Sequence, residues 1–210
     1  MEEFHNHKLQ TLNAYNASAK EFAENTAGLH PDEQARKFLN LLPGKRILDL
    51  GCGPGRDAQV FVGQGFQVTG VDMSTQMVEM ARSRVAAQFH VMDIENLNFP
   101  PRSFHGIWAS ASLLHIPKKN ILQVFKILHS LLLEEGIFYL SLKKGTGEGL
   151  QSDPRYGGIL KFWSFFEREE IEDIVKQSDF KVIESVISEK KSTYQGHPLW
   201  VNILCKKEKK

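Results

Sequence analysis

The sequence predicts a three-layer α/β sandwich: a seven-stranded, mostly parallel sheet with its last strand antiparallel, helices on both faces, and an N-terminal helical extension. Three observations predict it. Strand-like and helix-like segments alternate along the 210 residues, as they do where helical crossovers join parallel strands. The first strand, "RILDL" (46–50), runs directly into the glycine-rich turn "GCGPG". The last two apolar runs are separated only by the polar stretch "SEKKSTYQGH", which makes them an antiparallel hairpin. A chain of this length buries the core of one such domain and is short for two.

The elements follow in order. Leu9, Leu12, Tyr15, Ala19 and Phe22 mark one N-terminal helix, and a second follows Pro31. After "RILDL" the strands are "QVTGV" (67–71), "AQFHVM" (87–92), "FHGIWA" (104–109), "GIFYLSL" (136–142), "FKVIESVI" (180–187) and "LWVNILC" (199–205). Ser74 caps a helix carrying Met77, Met80, Ala81 and Val85. Ile121, Val124, Phe125, Leu128, Leu131 and Leu132 form one apolar helical face that ends near Gly136. Ser164 and Glu167 make a capping box ahead of Ile171, Ile174 and Val175. Residues 143–163, rich in glycine and without helix or strand pattern, read as a substrate lid. No linker or repeat divides the chain. It reads as a helical cap (1–45), a core (46–142), a lid (143–166) and a C-terminal helix with hairpin (167–210).

Lys and Arg number 26 against 25 Asp and Glu. That balance supplies no field to recruit nucleic acid or a membrane surface, and the basic end "CKKEKK" reads as a solvated tail. Cys52 and Cys205 are far apart and lack metal-ligand spacing, so neither a disulfide framework nor a metal site is expected. A reducing, cytoplasmic compartment fits them. The N-terminus has no apolar core of the signal-peptide kind, and no run approaches a membrane span.

The chemistry concentrates at the strand ends. Gly51, Gly53 and Gly55 follow a strand and open a helix, a turn in which a ligand can lie against bare backbone. The dinucleotide fingerprint places its third glycine where this chain has Arg56, so diphosphate binding fits poorly. Asp49 lies inside an apolar strand, where a carboxylate needs a partner: a bound ammonium group, or a hydrogen bond from the loop. Asp72 ends the second strand and Asp93 the third. Three acids at three successive strand ends describe a cleft, and one carboxylate there can hold a ribose diol.

"LDLGCGPG", then "VTGVDMS", then "VMDIENLNFPPRSFHGIWASASLLHIP" resemble the ordered cofactor motifs of the class I S-adenosylmethionine-dependent methyltransferases. The resemblance covers Leu48 to Leu142 and extends to the hairpin. It implies a Rossmann-like sheet with the final antiparallel strand inserted between the fifth and sixth. It also implies S-adenosyl-L-methionine as cofactor, with S-adenosyl-L-homocysteine as product. Gly51 and Gly53 would lie under the methionine and ribose parts, Asp49 would face the amino group, and Asp72 would accept both ribose hydroxyls. Met73 would cover the adenine, Asp93 would accept from its amino group, the Ile94 backbone would read a ring nitrogen, and Ser110 would lie beside the methionine.

On the acceptor side, His115 could take a proton or could be a histidine hydrogen-bonded at a helix start. Glu148, Arg155, Tyr156 and Trp163 are the chemically useful lid residues, and each could equally serve the surface connection. Tyr15 belongs to an apolar stripe, in a helix of the kind that closes over the cofactor in this family. Cys52 reads as a small packing residue. The motif after the fourth strand, "ASASLL", lacks the Asn- or Asp-Pro-Pro-aromatic signature of enzymes acting on DNA bases. Ala109 and Ser110 stand where catechol-type, metal-dependent enzymes have an acid. A small-molecule acceptor is therefore expected. The alternatives are a non-catalytic cofactor-binding protein, such as a sensor or partner subunit, and a nucleotide-dependent oxidoreductase. The oligomeric state is left open.

Overall fold

The structure is a computed structural model that describes residues 2–29, 32–153, 156–189 and 199–208. Strands β1 (Arg46–Leu50), β2 (Gln67–Asp72), β3 (Gln88–Val91), β4 (Phe104–Ser110), β5 (Leu132–Lys143), β8 (Phe180–Glu189) and β9 (Leu199–Lys207) form one sheet. Its order is β3-β2-β1-β4-β5-β9-β8. The chain leaves β1 toward β2 and β3, then crosses back to β4 and β5, so the strand order reverses between β1 and β4. In parallel sheets a crevice opens at that switch point, beyond the carboxyl ends of the strands. The last strand is antiparallel to both β5 and β8 and lies between them, as expected.

Strand alternation divides the interior into two cores. Ile47, Val68, Trp108 and Tyr139 face helices α3 (Asp32–Leu41), α4 (Arg56–Gly63) and α5 (Thr75–Arg84), where they meet Phe38, Phe61 and Val78. Leu48, Leu50, Ile107, Phe138 and Leu140 face α6 (Lys118–Leu131) and α7 (Arg168–Gln177) on the other side. Trp108 and Tyr139 stack with centroids 4.0 Å apart, joining β4 to β5 beneath the crevice.

Four expectations need correction. The N-terminal helix is two helices, α1 (Glu2–Ala17) and α2 (Ala19–Thr26). Between them Ser18 Oγ donates to the Ala14 carbonyl at 2.8 Å, a back-bond that competes with the helical ladder and bends it. Residues 143–163 contain two strands, β6 (Glu148–Asp153) and β7 (Ile159–Ser164), paired as a separate antiparallel ribbon. The polar, largely exposed β6 shows no alternation, and pairing with β7 decides its conformation. Ser164 does not cap α7: it ends β7 and donates to the Ile116 carbonyl at 2.7 Å, while Glu167 occupies the N-cap. Finally, α6 stops at Leu131 and β5 starts at Leu132 rather than at 136, because Leu132 already pairs with Phe104. The cap on α5 is as expected, with Ser74 accepting from Met77 N. The turn expected between the last two strands falls mostly on residues 190–198, outside the described residues.

Asn202 fixes the inserted strand. Its Oδ1 accepts from Tyr139 OH at 2.9 Å, and its Nδ2 donates to Ser188 Oγ at 2.7 Å. Removing the amide takes one hydrogen-bond partner from a buried phenol. Asn202→Ala should therefore lower stability by about 1–3 kcal/mol in urea unfolding; an unchanged midpoint would show that these bonds do not hold β9 in place.

Candidate active site

The glycine loop folds back over β2. Gly51 N and Cys52 N both donate to the Val71 carbonyl, at 2.8 and 2.9 Å. Gly51 adopts φ +70°, and a Cβ there would fall 2.3 Å from the Ser112 Cβ; the protein's own packing demands this glycine. Gly53 differs. It also has a left-handed φ, but a Cβ would meet only the edge of the Phe22 ring, at 3.8 Å. Its backbone faces the crevice. Asp72 ties the loop to α5: Oδ2 accepts from Gly53 N at 3.0 Å and Oδ1 from Ser74 N at 2.9 Å. Burial raises its carboxyl above the ordinary value, and these backbone donors oppose the shift.

Asp49 is the most demanding group. It is 3% exposed, and its Oδ2 is buried without a hydrogen-bond partner among the described residues. Burial first, and then the negative charge of Asp57, push its carboxyl well above the usual range. Asp57 itself is satisfied, accepting from Trp108 Nε1 at 2.8 Å and from Arg56 Nε at 2.7 Å. Ser110 Oγ, at the end of β4, and Ser112 Oγ, just past it, are also buried and unpartnered among the described residues. These three atoms lie on the two sides of the switch point, while another such atom, Ser185 Oγ, lies away from it. Burial pushes the Cys52 thiol well up, in keeping with a packing role.

Helix α1 lies across the crevice. Lys8 Nζ pairs with Asp93 Oδ2 at 2.6 Å and with Glu95. Asp93 Oδ1 meanwhile caps the following turn by accepting from Glu95 N. Ser74 Oγ donates to Asn16 Oδ1 at 2.6 Å, and Thr11 Oγ1 accepts from Phe162 N at 2.9 Å. Tyr15 OH lies 2.8 Å from His115 Nε2, and His115 Nδ1 lies 2.6 Å from the Phe162 carbonyl. A carbonyl only accepts, so Nδ1 carries the proton and Nε2 accepts from the phenol. Burial holds the imidazole neutral, its pKa lowered to about 3.

The ribbon covers the remaining side. Tyr156 and Trp163 are buried; Tyr156 lies against Phe22 at 5.8 Å and Trp163 against His115 at 4.8 Å. Lys143 Nζ sits 3.3 Å above the Trp163 ring. Lys161 is fully buried and pairs with Asp153 at 3.4 Å. Its ammonium lies 4.2 Å from the Tyr15 ring centroid and 4.1 Å from that of Tyr156. Glu148 faces elsewhere, accepting from Lys118 N and Ser164 Oγ at the start of α6.

Comparison with known proteins adds to the geometry. The family model described as a methyltransferase domain matches residues 47–136. Residues 47–136 thus resemble a methyltransferase domain, a match over less than half of the chain. Over 104 residues the chain is 32% identical to phosphoethanolamine N-methyltransferase 1 of Arabidopsis thaliana, covering 46% of this chain and 21% of that protein. Over 111 residues it is 34% identical to a ubiquinone biosynthesis O-methyltransferase of Xanthomonas campestris, covering 50% of this chain and 46% of the relative. The chain spans less than half the length of these curated relatives. In shape it matches the 1,6-didemethyltoxoflavin-N1-methyltransferase of Burkholderia thailandensis, solved with 1,6-didemethyltoxoflavin and S-adenosylhomocysteine. The TM-score is 0.77 at 18% identity, over 98% of this chain and 90% of that one. A methyltransferase of Methanosarcina mazei, described as S-adenosylmethionine-dependent, gives 0.74 at 21%, over 87% and 99%. At such identities the likeness is one of fold.

Within this core, Asp49, Gly51, Gly53, Asp72, Met73, Asp93, Ile94 and Ser110 all fall along the carboxyl ends of β1 to β4. Tyr15, His115, Tyr156 and Trp163 come together on the facing side, whereas Glu148 stands apart and Arg155 lies outside the described residues. Lys8, Asn16, Phe22, Asp153 and Lys161 were missed by the sequence reading. Only Lys161 left a signal: a lysine set within the apolar run "ILKFW".

A neutral buried His115 has a consequence for pH dependence. Its folded pKa lies below the ordinary 6.5, so the unfolded chain takes up the proton first. Its contribution is complete above that value and is lost as pH falls toward about 3. His115→Gln keeps an acceptor for Tyr15 but cannot titrate. The stability advantage of the parent over this variant should shrink steadily in urea unfolding as pH drops below 6.5; a constant gap would contradict a neutral, buried imidazole.

Proposed function

We propose that the protein is an S-adenosylmethionine-dependent methyltransferase acting on a small-molecule acceptor. The observation that carries this reading is the row of Asp49, Asp72 and Asp93 at three strand ends, with Asp49 Oδ2 and Ser110 Oγ buried and unpartnered among the described residues. A ligand that brings a cation, a diol and a flat amino-bearing ring would satisfy that row in order. Asp49 would take the ammonium group. Asp72, whose carboxylate the loop already aims, would take the ribose hydroxyls. Met73 and the Ile94 backbone would border the adenine, and Asp93 would accept from its amino group beside Lys8. Gly53 would supply backbone under the ribose, and Ser110 would stand by the amino-acid end. Arg56, turned inward to Asp57, argues against a dinucleotide.

The cofactor supplies a methyl group already activated on a sulfonium. What remains for this chain is alignment and exclusion of water. Helix α1 and the β6–β7 ribbon would serve as covers: Phe22 lies over Gly53, Tyr15 and Tyr156 pack on Phe22, and Trp163 lies against His115. His115 orients Tyr15 through Nε2 and is itself fixed by the Phe162 carbonyl. At neutral pH a buried imidazole with a pKa of about 3 is a weak base, so the acceptor must present a lone pair that needs little help. Two buried thiols, Cys52 and Cys205, suit a reducing, cytoplasmic setting, and no described helix is long and apolar enough to cross a membrane.

Incubation with S-adenosylmethionine and a panel of metabolites should release S-adenosylhomocysteine. Tight cofactor binding without product across the panel would favour a cofactor-binding protein over an enzyme. Asp72→Ala should weaken S-adenosylhomocysteine binding by about 2–4 kcal/mol in calorimetry, the scale of lost hydrogen bonds to a charged group. Unchanged affinity in a folded variant would defeat the ribose assignment.

A further inference from the structure

Of residues 7–17 in α1, only Thr11 and Ala14 are buried, and Leu9 is well exposed. A helix ordinarily docks through an apolar stripe; this one docks mainly through polar side chains. Lys8, Thr11, Tyr15 and Asn16 each reach a different element. Polar contacts are exchanged for water at modest net cost, and a segment with few buried apolar groups opens locally before the rest of a fold does.

The two ends of α1 differ. At its carboxyl end the helix breaks at Ser18, whose φ of −107° and ψ of 14° leave the α region. Beyond the break α2 is anchored: Ala19 and Ala23 are buried, and Phe22 lies over Gly53. Toward the other end, about 15 Å along the helix from Ser18, Lys8 meets a prepared seat on the turn after β3. There Asp93 Oδ1 accepts from Glu95 N at 3.0 Å, and Glu95 Oε1 accepts from Asn120 Nδ2 of α6 at 2.7 Å. The second oxygen of each acid meets Lys8 Nζ. The side chains of Lys8, Asp93 and Glu95 are 29%, 24% and 19% exposed, so water can take the lysine's place.

Resting on the methyltransferase reading for its ligand, we infer that α1 is the gate for cofactor exchange, hinged at Ser18 and latched by Lys8 on Asp93 and Glu95. With the latch shut, α1 is fastened just past β2 through Asn16 and just past β3 through Lys8. Release of Lys8 frees α1 to swing about Ser18, while α2 keeps Phe22 on the glycine loop. The swing breaks polar contacts and leaves the strand pairing of the sheet intact. Two carboxylates facing one ammonium make the latch a matter of charge, and salt that screens them loosens it. Because the latch holds the cover rather than the ligand, it sets how fast the cofactor leaves.

The test measures association and dissociation of S-adenosylhomocysteine on the immobilised full chain by surface plasmon resonance. Lys8→Met should raise the dissociation rate at least about fivefold, and Lys8→Arg should stay near the parent. Adding Glu95→Gln to Lys8→Met should raise it no further, because both changes open one latch. Salt should speed release from the parent and leave Lys8→Met unaffected. Hydrogen exchange on the cofactor-free chain supplies a second readout: Lys8→Met should speed exchange of the α1 amides and leave β1, β4 and β5 unchanged. A dissociation rate that Lys8→Met does not alter, equal salt dependence of parent and variant, or exchange that rises in the sheet as well overturns the inference. Failure of S-adenosylhomocysteine to bind the parent overturns the underlying methyltransferase reading instead, and the exchange readout still decides whether Lys8 latches α1.

Discussion

Asp49 sets the terms for the rest of the structure. A carboxylate at the end of a buried strand loses its hydration, and the nearest negative charge, on Asp57, adds to the cost. The fold lessens that cost without removing it. Arg56 and Trp108 satisfy Asp57, and Arg56 partly offsets the field at Asp49. The remaining oxygen stays without a protein partner among the described residues. A ligand cation would stabilise such a group, and the glycine loop, β2 and the end of β4 lie around it.

The covers follow from the same logic. A cation held by a buried carboxylate would be worth more with water kept away, and α1 is fastened across that edge at several points. Lys8 holds the end of β3, Asn16 the cap of α5, Thr11 the ribbon and Tyr15 the turn after β4. Each of these contacts joins residues far apart in sequence, so the lid and the sheet edge assemble as one unit. The ribbon contributes aromatic surface and a buried cation from the opposite side.

Much of this was legible in the sequence. The strand pattern and the hairpin defined the main sheet, because alternation and helical spacing report burial directly. The acids at the strand ends and the glycine turn were visible for the same local reason, and the structure brings them to one edge of the sheet. The ribbon was not legible. β6 is mostly polar and exposed along half of its length, and only its pairing with β7 makes it a strand. The break at Ser18 depends on one hydroxyl choosing a carbonyl over solvent, and the Ser164–Glu167 pattern matched a capping box while Ser164 belonged to β7. Lys161, Asp153 and Lys8 were hidden because a lysine or aspartate in sequence is ordinarily a solvated one. Their meaning comes from what the fold places next to them.

The central claim is that Asp49 is completed by the ammonium group of the cofactor, and the most direct measurement compares two ligands. S-adenosylhomocysteine and its analogue lacking only the α-amino group would be titrated calorimetrically against the folded protein. The account predicts that the deaminated analogue binds at least about tenfold more weakly, and that Asp49→Asn removes most of that difference. Equal affinity of the parent for both ligands would contradict it.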